Sequence, residues 1–304
     1  MFDRMVIAIL GPTASGKSEL GLALAERLSG EIVCCDSVQV YRGMDIGTGK
    51  ATRQEQARCP HHLLDLVDPG EPFHAAVWAT RAREAIDDIH TRGRLPIIVG
   101  GTGLYFRALR AGLFDAPPPD PAIRARHQAE AAAVGIFALH RRLQEIDPDA
   151  AANILPGDLL RTSRALEVYE QTGVPITELR RRATTPLLPW RLFVVILDYP
   201  LDKLRPLIHS RVERMMAAGF LAEVEALRKA GFGQTRALAS LGYKQLGQHL
   251  EGVLTLPDAV AQTKSTTAAY ARRQRTWFRR EQADLRAAEP PDPDTLAHDL
   301  SGHL

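Results

Sequence analysis

The octapeptide GPTASGKS at residues 11–18 follows the apolar run MVIAIL and leads into ELGLALAERLSG, whose apolar residues have helical spacing. Gly11, Gly16, Lys17 and Ser18 stand at the spacing of a phosphate-binding loop, in the strand–loop–helix position such a loop requires. The backbone of Gly11, Pro12, Thr13, Ala14, Ser15 and Gly16 can curl around a phosphate, and the following helix turns its positive end toward it. Lys17 adds a point charge, and the Ser18 hydroxyl can ligate magnesium. A chain that begins this way is constrained to an α/β fold.

The next segments repeat the alternation. VIAIL (6–10) reads as a buried strand, Ser18–Leu28 as a helix stopped at Gly30, and EIVCC (31–35) as a second strand. Val77, Trp78, Ala82, Ala85, Ile86 and Ile89 then recur at helical spacing, the helix stops at Gly93, and LPIIV (95–99) follows as a strand. Strands alternating with helices imply a parallel sheet with right-handed crossovers. After Leu113 the proline-rich FDAPPPDP breaks the pattern, residues 122–182 read as helical, and RLFVVILDYP (191–200) restores a strand. The fold class expected is α/β: a P-loop NTPase-like parallel sheet core flanked by helices, with a helical insertion domain. Its boundaries fall at 1–113 for the first part of the core, 114–186 for the insertion, and 187–304 for core completion and C-terminal helices. That last third reads as LDKLRPLIHSRVERMMAAG, then 222–229, then one long helix over 256–288, with the tail EPPDPDTLAHDLSGHL frayed.

With 304 residues the chain can bury a large core, and a net charge of +2 neither demands nor excludes a polyanionic partner. Three cysteines at 34, 35 and 59 form neither a disulfide framework nor a metal-ligand spacing, which points to a reducing cytoplasmic compartment. No apolar run approaches the roughly 20 residues a membrane span needs, so no membrane association is expected.

Ligands of an open parallel sheet bind beyond the carboxyl ends of the strands, so the loops at 11–18, 36–39 and 100–103, with Asp198, should converge. Asp36 either caps the next element or offers a carboxylate that ligates magnesium through water or accepts a proton. Thr102, between the glycines of VGGTGLY, adds a hydroxyl near the phosphate loop. Asp198 reads as the cap of the helix beginning near Leu201 rather than as a magnesium ligand. His61 and His62 diverge as neighbours and do not suggest one ion.

Most arginines lie beyond the first hundred residues. Arg161 and Arg164, then Arg180, Arg181 and Arg182, fall in the insertion. In the last helix Arg272, Arg275 and Arg279 share one face, and Arg273 with Arg280 another. Such clusters on a nearly neutral chain fit phosphate contacts with an RNA. Trp277 and Phe278 read as core.

The segments GPTASGKS, DSVQVYRGMDIGTGK, PHHLLD, VGGTGLY, RALEVYEQTG, RVERMMAAGFLAEV, LGYKQ and ARRQRTWFR, in this order along almost the whole chain, closely resemble the tRNA dimethylallyltransferase (tRNA isopentenyltransferase) family. The resemblance implies that the loop holds the diphosphate of dimethylallyl diphosphate as a nucleotide-type cradle. The acceptor it implies is N6 of the adenosine 3′-adjacent to the anticodon in tRNAs reading UNN codons, flipped from the anticodon stem-loop into the core. It further implies Asp36 as general base, Lys17 and Arg211 on the diphosphate, Thr102 positioning the reacting groups, and Mg2+ at Ser18. To tRNA it assigns Asp36, Ser37, Val38, Gln39, Thr102, Arg124, Leu160, Arg161, Thr162, Ser163, Arg164, Gly242, Tyr243 and Lys244, which the last-helix Arg272 and Arg273 join. A cytoplasmic enzyme acting as a monomer is the corresponding expectation.

Ala239 and Ala268 stand where the family usually carries arginine, with Arg236 one turn from Ala239 as a substitute, and GTGK replaces GTAK at Gly49. Rival readings are a prenyltransferase of free AMP, ADP or ATP, which would not need the insertion, an ATP-dependent small-molecule kinase, and a nucleotide-switched RNA-binding module.

Overall fold

The computed structural model describes residues 4–114, 116–183 and 188–301. The chain divides into two compact units, Met1–Arg110 with Leu187–Leu304, and Ala111–Pro186.

The first unit is built on a six-stranded sheet: β1 (Met5–Leu10), β2 (Gly30–Cys35), β3 (His61–His62), β4 (Leu95–Gly100), β5 (Arg191–Leu197) and β6 (Leu285–Ala287), in the order β3-β2-β4-β1-β5-β6. All neighbours pair in parallel. β1 is central, with Leu10 opposite Gly100 on one side and Ile196 on the other. Its six residues are all buried because helices cover both faces, which is why it reads as a continuous apolar run.

Alternate residues serve the two faces. Val6, Ala8 and Leu10 join Val33, Ile98 and Ile196 under the helices Ala75–Thr91 and Gly103–Ala111, with Trp78, Ile86 and Phe106 fully enclosed. Met5, Ile7 and Ile9 join Ile32, Ile97 and Val195 under the helix Lys17–Arg27. Trp78 also donates its indole N–H to the Cys34 carbonyl at 3.0 Å, so truncating it to alanine should cost about 3–5 kcal/mol.

Two expectations are corrected here. The last long helix ends at Phe278, not near 288, and Leu285–Ala287 pair with β5. The backbone N–H and carboxylate of Asp284 bracket Val194, donating to its carbonyl at 2.9 Å and accepting its N–H at 2.7 Å, and this extends the sheet. The tail is not frayed over its described part: Pro293–Ser301 is a helix that buries Leu296, Ala297 and Leu300 beside the helix Lys17–Arg27, with Arg27 paired to Asp294. Phe278 is core, as its position suggested. Residues 184–187, where the second domain boundary was set, and the last three of the tail lie outside the described residues.

The second unit is all helical: Pro121–Val134, Ile136–Ile146, Pro148–Asn153, Leu159–Thr172 and Ile176–Arg182. Asp120, Asp147 and Asp158 cap helices with their side chains, and Gly173 ends one in the left-handed region at φ 71°. Its core gathers Leu139, Leu143, Ala165, Leu166, Val168 and Ile176. No described helix is long and apolar enough to cross a membrane.

Candidate active site

The phosphate loop connects β1 to the helix Lys17–Arg27. Ala14 (φ 64°) and Gly16 (φ 82°) are left-handed, and a loop curled this way points successive N–H groups into one concavity. Gly11 runs so close to β5 that a Cβ would stand 2.9 Å from the Leu197 carbonyl oxygen. Lys17 Nζ donates to the Pro12 carbonyl at 3.0 Å, folding the ammonium over the loop. Burial first, and the Arg211 charge second, push the Lys17 pKa down to about 8, with Asp36 opposing.

Arg211 arrives from the helix Leu201–Ala217 and donates to the Thr48 carbonyl at 3.2 Å. Burial pulls its pKa down while Asp36 pulls it up. Neither Lys17 nor Arg211 has a carboxylate within ion-pairing distance among the described residues. Two cations held near each other without neutralisation form an anion site.

Asp36 opens the loop after β2, and the capping reading of it holds. Its Oδ1 accepts the N–H groups of Val38 at 2.8 Å and Gln39 at 3.2 Å, the local cap. Its Oδ2 takes no hydrogen bond among the described residues, and Asp36 lines a cavity beside the phosphate loop. Thr102 accepts the Ser37 N–H on Oγ1 at 3.1 Å, and its own N–H reaches the Cys35 carbonyl at 3.2 Å. Thr102 does not line the cavity beside Asp36; it fixes the loop that does.

That cavity measures about 330 Å³. Lys17, Ser18, Asp36, Gln39, Arg211 and Arg273 supply its polar groups, and Val38, Val99, Val212, Met215, Phe220 and Tyr243 its apolar wall. A second cavity of about 290 Å³ lies along the phosphate loop from Ala14 to Glu19, bounded by Tyr199, Arg211, Arg214 and Pro290. Lys17, Ser18 and Arg211 belong to both.

The loop at 45–49 is shaped by residues that the sequence reading missed. Glu223 accepts the N–H groups of Asp45, Ile46 and Gly47 at 3.0, 2.7 and 3.0 Å, and the Tyr243 hydroxyl at 2.6 Å. Lys50 is buried, giving Nζ to the Tyr41 carbonyl and to Asp45 and Asp65, each carboxylate at 2.6 Å. Gly47 meets Phe220 so closely that a Cβ would be 2.1 Å from its ring, and at Gly49 (φ 60°) a Cβ would stand 2.1 Å from the Arg211 guanidinium. Gly49 thus lies against the end of the Arg211 side chain in a left-handed conformation that favours glycine.

Several expected site residues sit otherwise. Asp198 is not a helix cap: Pro200 occupies that position, and Asp198 instead binds Arg275 at 2.5 Å and Arg279 at 3.6 Å. Two guanidinium groups outbid a backbone N–H because charge-assisted bonds are the stronger ones. Tyr243 is buried, with its hydroxyl on Glu223, and lines the cavity, while Gly242 packs against Phe220. Lys244, Arg272 and Arg273 are exposed. Ala239 lines the cavity and Arg236 does not. His61 Nδ1 contacts the Cys59 carbonyl and His62 Nε2 contacts Glu31, each at 2.7 Å.

In the helical unit, Arg161 and Leu160 are exposed. Thr162 is fully buried, and Ser163 is buried with its hydroxyl 2.9 Å from His127 Nδ1, so neither side chain is presented to solvent. Arg124 and Arg164 both bind Glu167, whose side chain is wholly enclosed. Their first task is to neutralise that buried carboxylate. The helical period that put Arg161 and Arg164 in one cluster did not distinguish the solvated arginine from the structural one.

Sequence comparison finds two family profiles, IPP transferase over residues 39–281 and Isopentenyl transferase over residues 4–65. The chain is 47% identical over 280 residues to the tRNA dimethylallyltransferase of Halorhodospira halophila, covering 90% of this chain and 89% of the relative. It is 49% identical over 278 residues to that of a Roseiflexus species, covering 90% of each. Among solved structures, the tRNA isopentenylpyrophosphate transferase of Bacillus halodurans superposes with a TM-score of 0.69 at 36% identity, covering 99% of this chain and 95% of that one. A eukaryotic dimethylallyltransferase acting on tRNA superposes with a TM-score of 0.74 at 28% identity, covering 90% of this chain and 70% of that one.

Proposed function

The chain belongs to the IPP transferase family and is a dimethylallyl-transferring enzyme that modifies tRNA; we propose that Asp36 is its base and that the phosphate loop, Lys17 and Arg211 hold the leaving diphosphate. The donor is dimethylallyl diphosphate, and the acceptor is N6 of the adenosine 3′-adjacent to the anticodon. The observation that carries the reading is the single cavity in which a free carboxylate oxygen, two unneutralised cations and an apolar wall face the same space.

Each part has a task. The N6 lone pair is delocalised into the adenine ring, so nitrogen becomes nucleophilic as its proton leaves. The N6–C1 bond forms, the C1–O bond to diphosphate breaks, and the N6 proton passes to Asp36 Oδ2. Diphosphate departs with the bonding pair. Lys17, Arg211 and the loop N–H groups face the space where that charge would grow, so they stabilise the transition state more than the bound ground state. Met215, Phe220 and Val99 offer the five-carbon chain an apolar surface and keep water from its C1.

Ser18, which lines both cavities, would hold magnesium through its hydroxyl beside the diphosphate. When bound, the ion would add charge compensation on the diphosphate. No group of three or more His, Cys, Asp or Glu side chains that could hold a metal occurs among the described residues.

For tRNA, the exposed Arg161 of the helical unit and the exposed Lys244, Arg272 and Arg273 of the sheet unit are the phosphate-contacting candidates. A prenyltransferase of free adenine nucleotides would share the core. The longer profile match runs through the insertion and favours tRNA. Incubating the protein with dimethylallyl diphosphate, magnesium and unmodified tRNA, and digesting the tRNA to nucleosides, tests the reading. An adenosine heavier by one dimethylallyl group supports it; mass gained only by free nucleotide, or none at all, overturns it.

A further inference from the structure

Gln274 lies in the last long helix, within the segment ARRQRTWFR, is buried, and was assigned no role from the sequence. Its Oε1 accepts the N–H of Thr13 in the phosphate loop at 2.8 Å. Its Nε2 donates to the Gly101 carbonyl in the loop after β4 at 2.9 Å. The partners fix the amide's orientation, because Thr13 N–H can only donate and the Gly101 carbonyl can only accept. The fit is close: a Cβ on Gly101 would stand 2.3 Å from Gln274 Nε2.

The tie continues in both directions. Thr102, next to Gly101, holds Ser37 by its N–H, and Ser37 follows Asp36. Back from Gln274, Tyr270 lies one turn earlier on the same helix and lines the cavity that Asp36 also lines. A continuous path therefore runs from the diphosphate cradle through Gln274, Gly101 and Thr102 to the loop that carries the carboxylate. The two reacting groups approach from its two ends.

We infer that Gln274 is a positioning residue that sets the spacing between the diphosphate grip and Asp36. The inference rests on the dimethylallyl-transfer reading for its reaction, but not for its effect on diphosphate binding. Thr13 anchored away from the concavity leaves the later loop amides to the phosphate, and transfer geometry tolerates little displacement.

The test compares wild type, Gln274→Leu and Gln274→Glu between pH 5.5 and 9, reading prenyl transfer, inorganic pyrophosphate affinity and tRNA affinity. Leucine breaks both bonds. A protonated glutamic acid can make both, whereas its carboxylate sets a charged oxygen against the Gly101 carbonyl. Relative to wild type, Gln274→Leu should lose about tenfold in pyrophosphate affinity and at least as much in donor kcat/KM at every pH. Gln274→Glu should approach wild type at low pH and fall toward the leucine variant as pH rises. tRNA affinity should stay within about twofold. Wild-type behaviour of the leucine variant, a pH-independent loss in the glutamate variant, or an equal loss of tRNA affinity would overturn the inference. A wild-type protein that prenylates nothing, while pyrophosphate affinity follows this pattern, would sink the reaction reading and leave the clamp supported.

Discussion

Thr102 accepts the Ser37 N–H at 3.1 Å while lying outside the cavity that Asp36 lines. The hydroxyl thus holds the backbone of the residue that follows the carboxylate. Thr102→Ala should lower kcat about tenfold, with donor and tRNA KM nearly unchanged, and Thr102→Ser should recover most of the rate because it restores the acceptor oxygen. Steady-state kinetics of the two variants check this; equal defects would mean that the methyl group, not the hydroxyl, matters.

Lys17 gives the site a pH limb. Its pKa in the folded protein is about 8, below the ordinary 10.5, so burial disfavours its charge. Below pH 8 the lysine is protonated in both folded and unfolded chains, and the folded state carries the full cost. Between about 8 and 10.5 the folded lysine loses its proton first, so this group's contribution to stability rises with pH. Diphosphate reverses the sign, since it compensates the charge. Pyrophosphate affinity should therefore decline above about pH 8 in the wild type, and Lys17→Arg should move that decline beyond about pH 10. A titration of pyrophosphate binding across this range decides it.

Arg161 and Arg164 separate on substitution. Arg161 is solvated, 3.5 Å from Asp158, so Arg161→Ala should weaken tRNA binding and reduce the slope of log affinity against log salt by about 1, with melting temperature unchanged. Arg164 binds the enclosed Glu167 at 2.7 Å, so Arg164→Ala should destabilise the helical unit by about 2–4 kcal/mol. Salt-dependent binding and denaturant melts of both variants distinguish the two roles.

Lys50 bridges Asp45 and Asp65 from a buried position. Both carboxylates reach solvent and can rehydrate, so Lys50→Met should cost about 1–3 kcal/mol, less than stranding a buried charge would. Thermal melts measure it, and no loss would show that apolar packing replaces the ion triad.

The strands β1, β2, β4 and β5 were legible because helices cover both faces and most of their positions are apolar. His61–His62 and Leu285–Ala287 were not, since two or three residues carry no period and their pairing is decided by neighbours remote in the chain. The cradle and Asp36 were legible for a related reason: loop chemistry is local, so spacing encodes it. Glu223, Gln274 and Lys50 act through partners distant in sequence or through burial, and an isolated Gln or Glu on a helix gives no sign of this. Asp198 misled because a local cap was available to a residue whose partner stands 77 positions away.

The central claim is that Asp36 Oδ2 takes the N6 proton while its Oδ1 only shapes the loop. Single-turnover transfer by Asp36→Asn, with tRNA affinity measured on the same preparation, tests this most directly. Asparagine keeps an acceptor for Val38 and Gln39 but supplies no base. The account predicts a loss of about 10²–10⁴-fold in the transfer rate with tRNA affinity within about threefold of wild type. A transfer rate close to wild type, or a fall in tRNA affinity that matches the fall in rate, would contradict it.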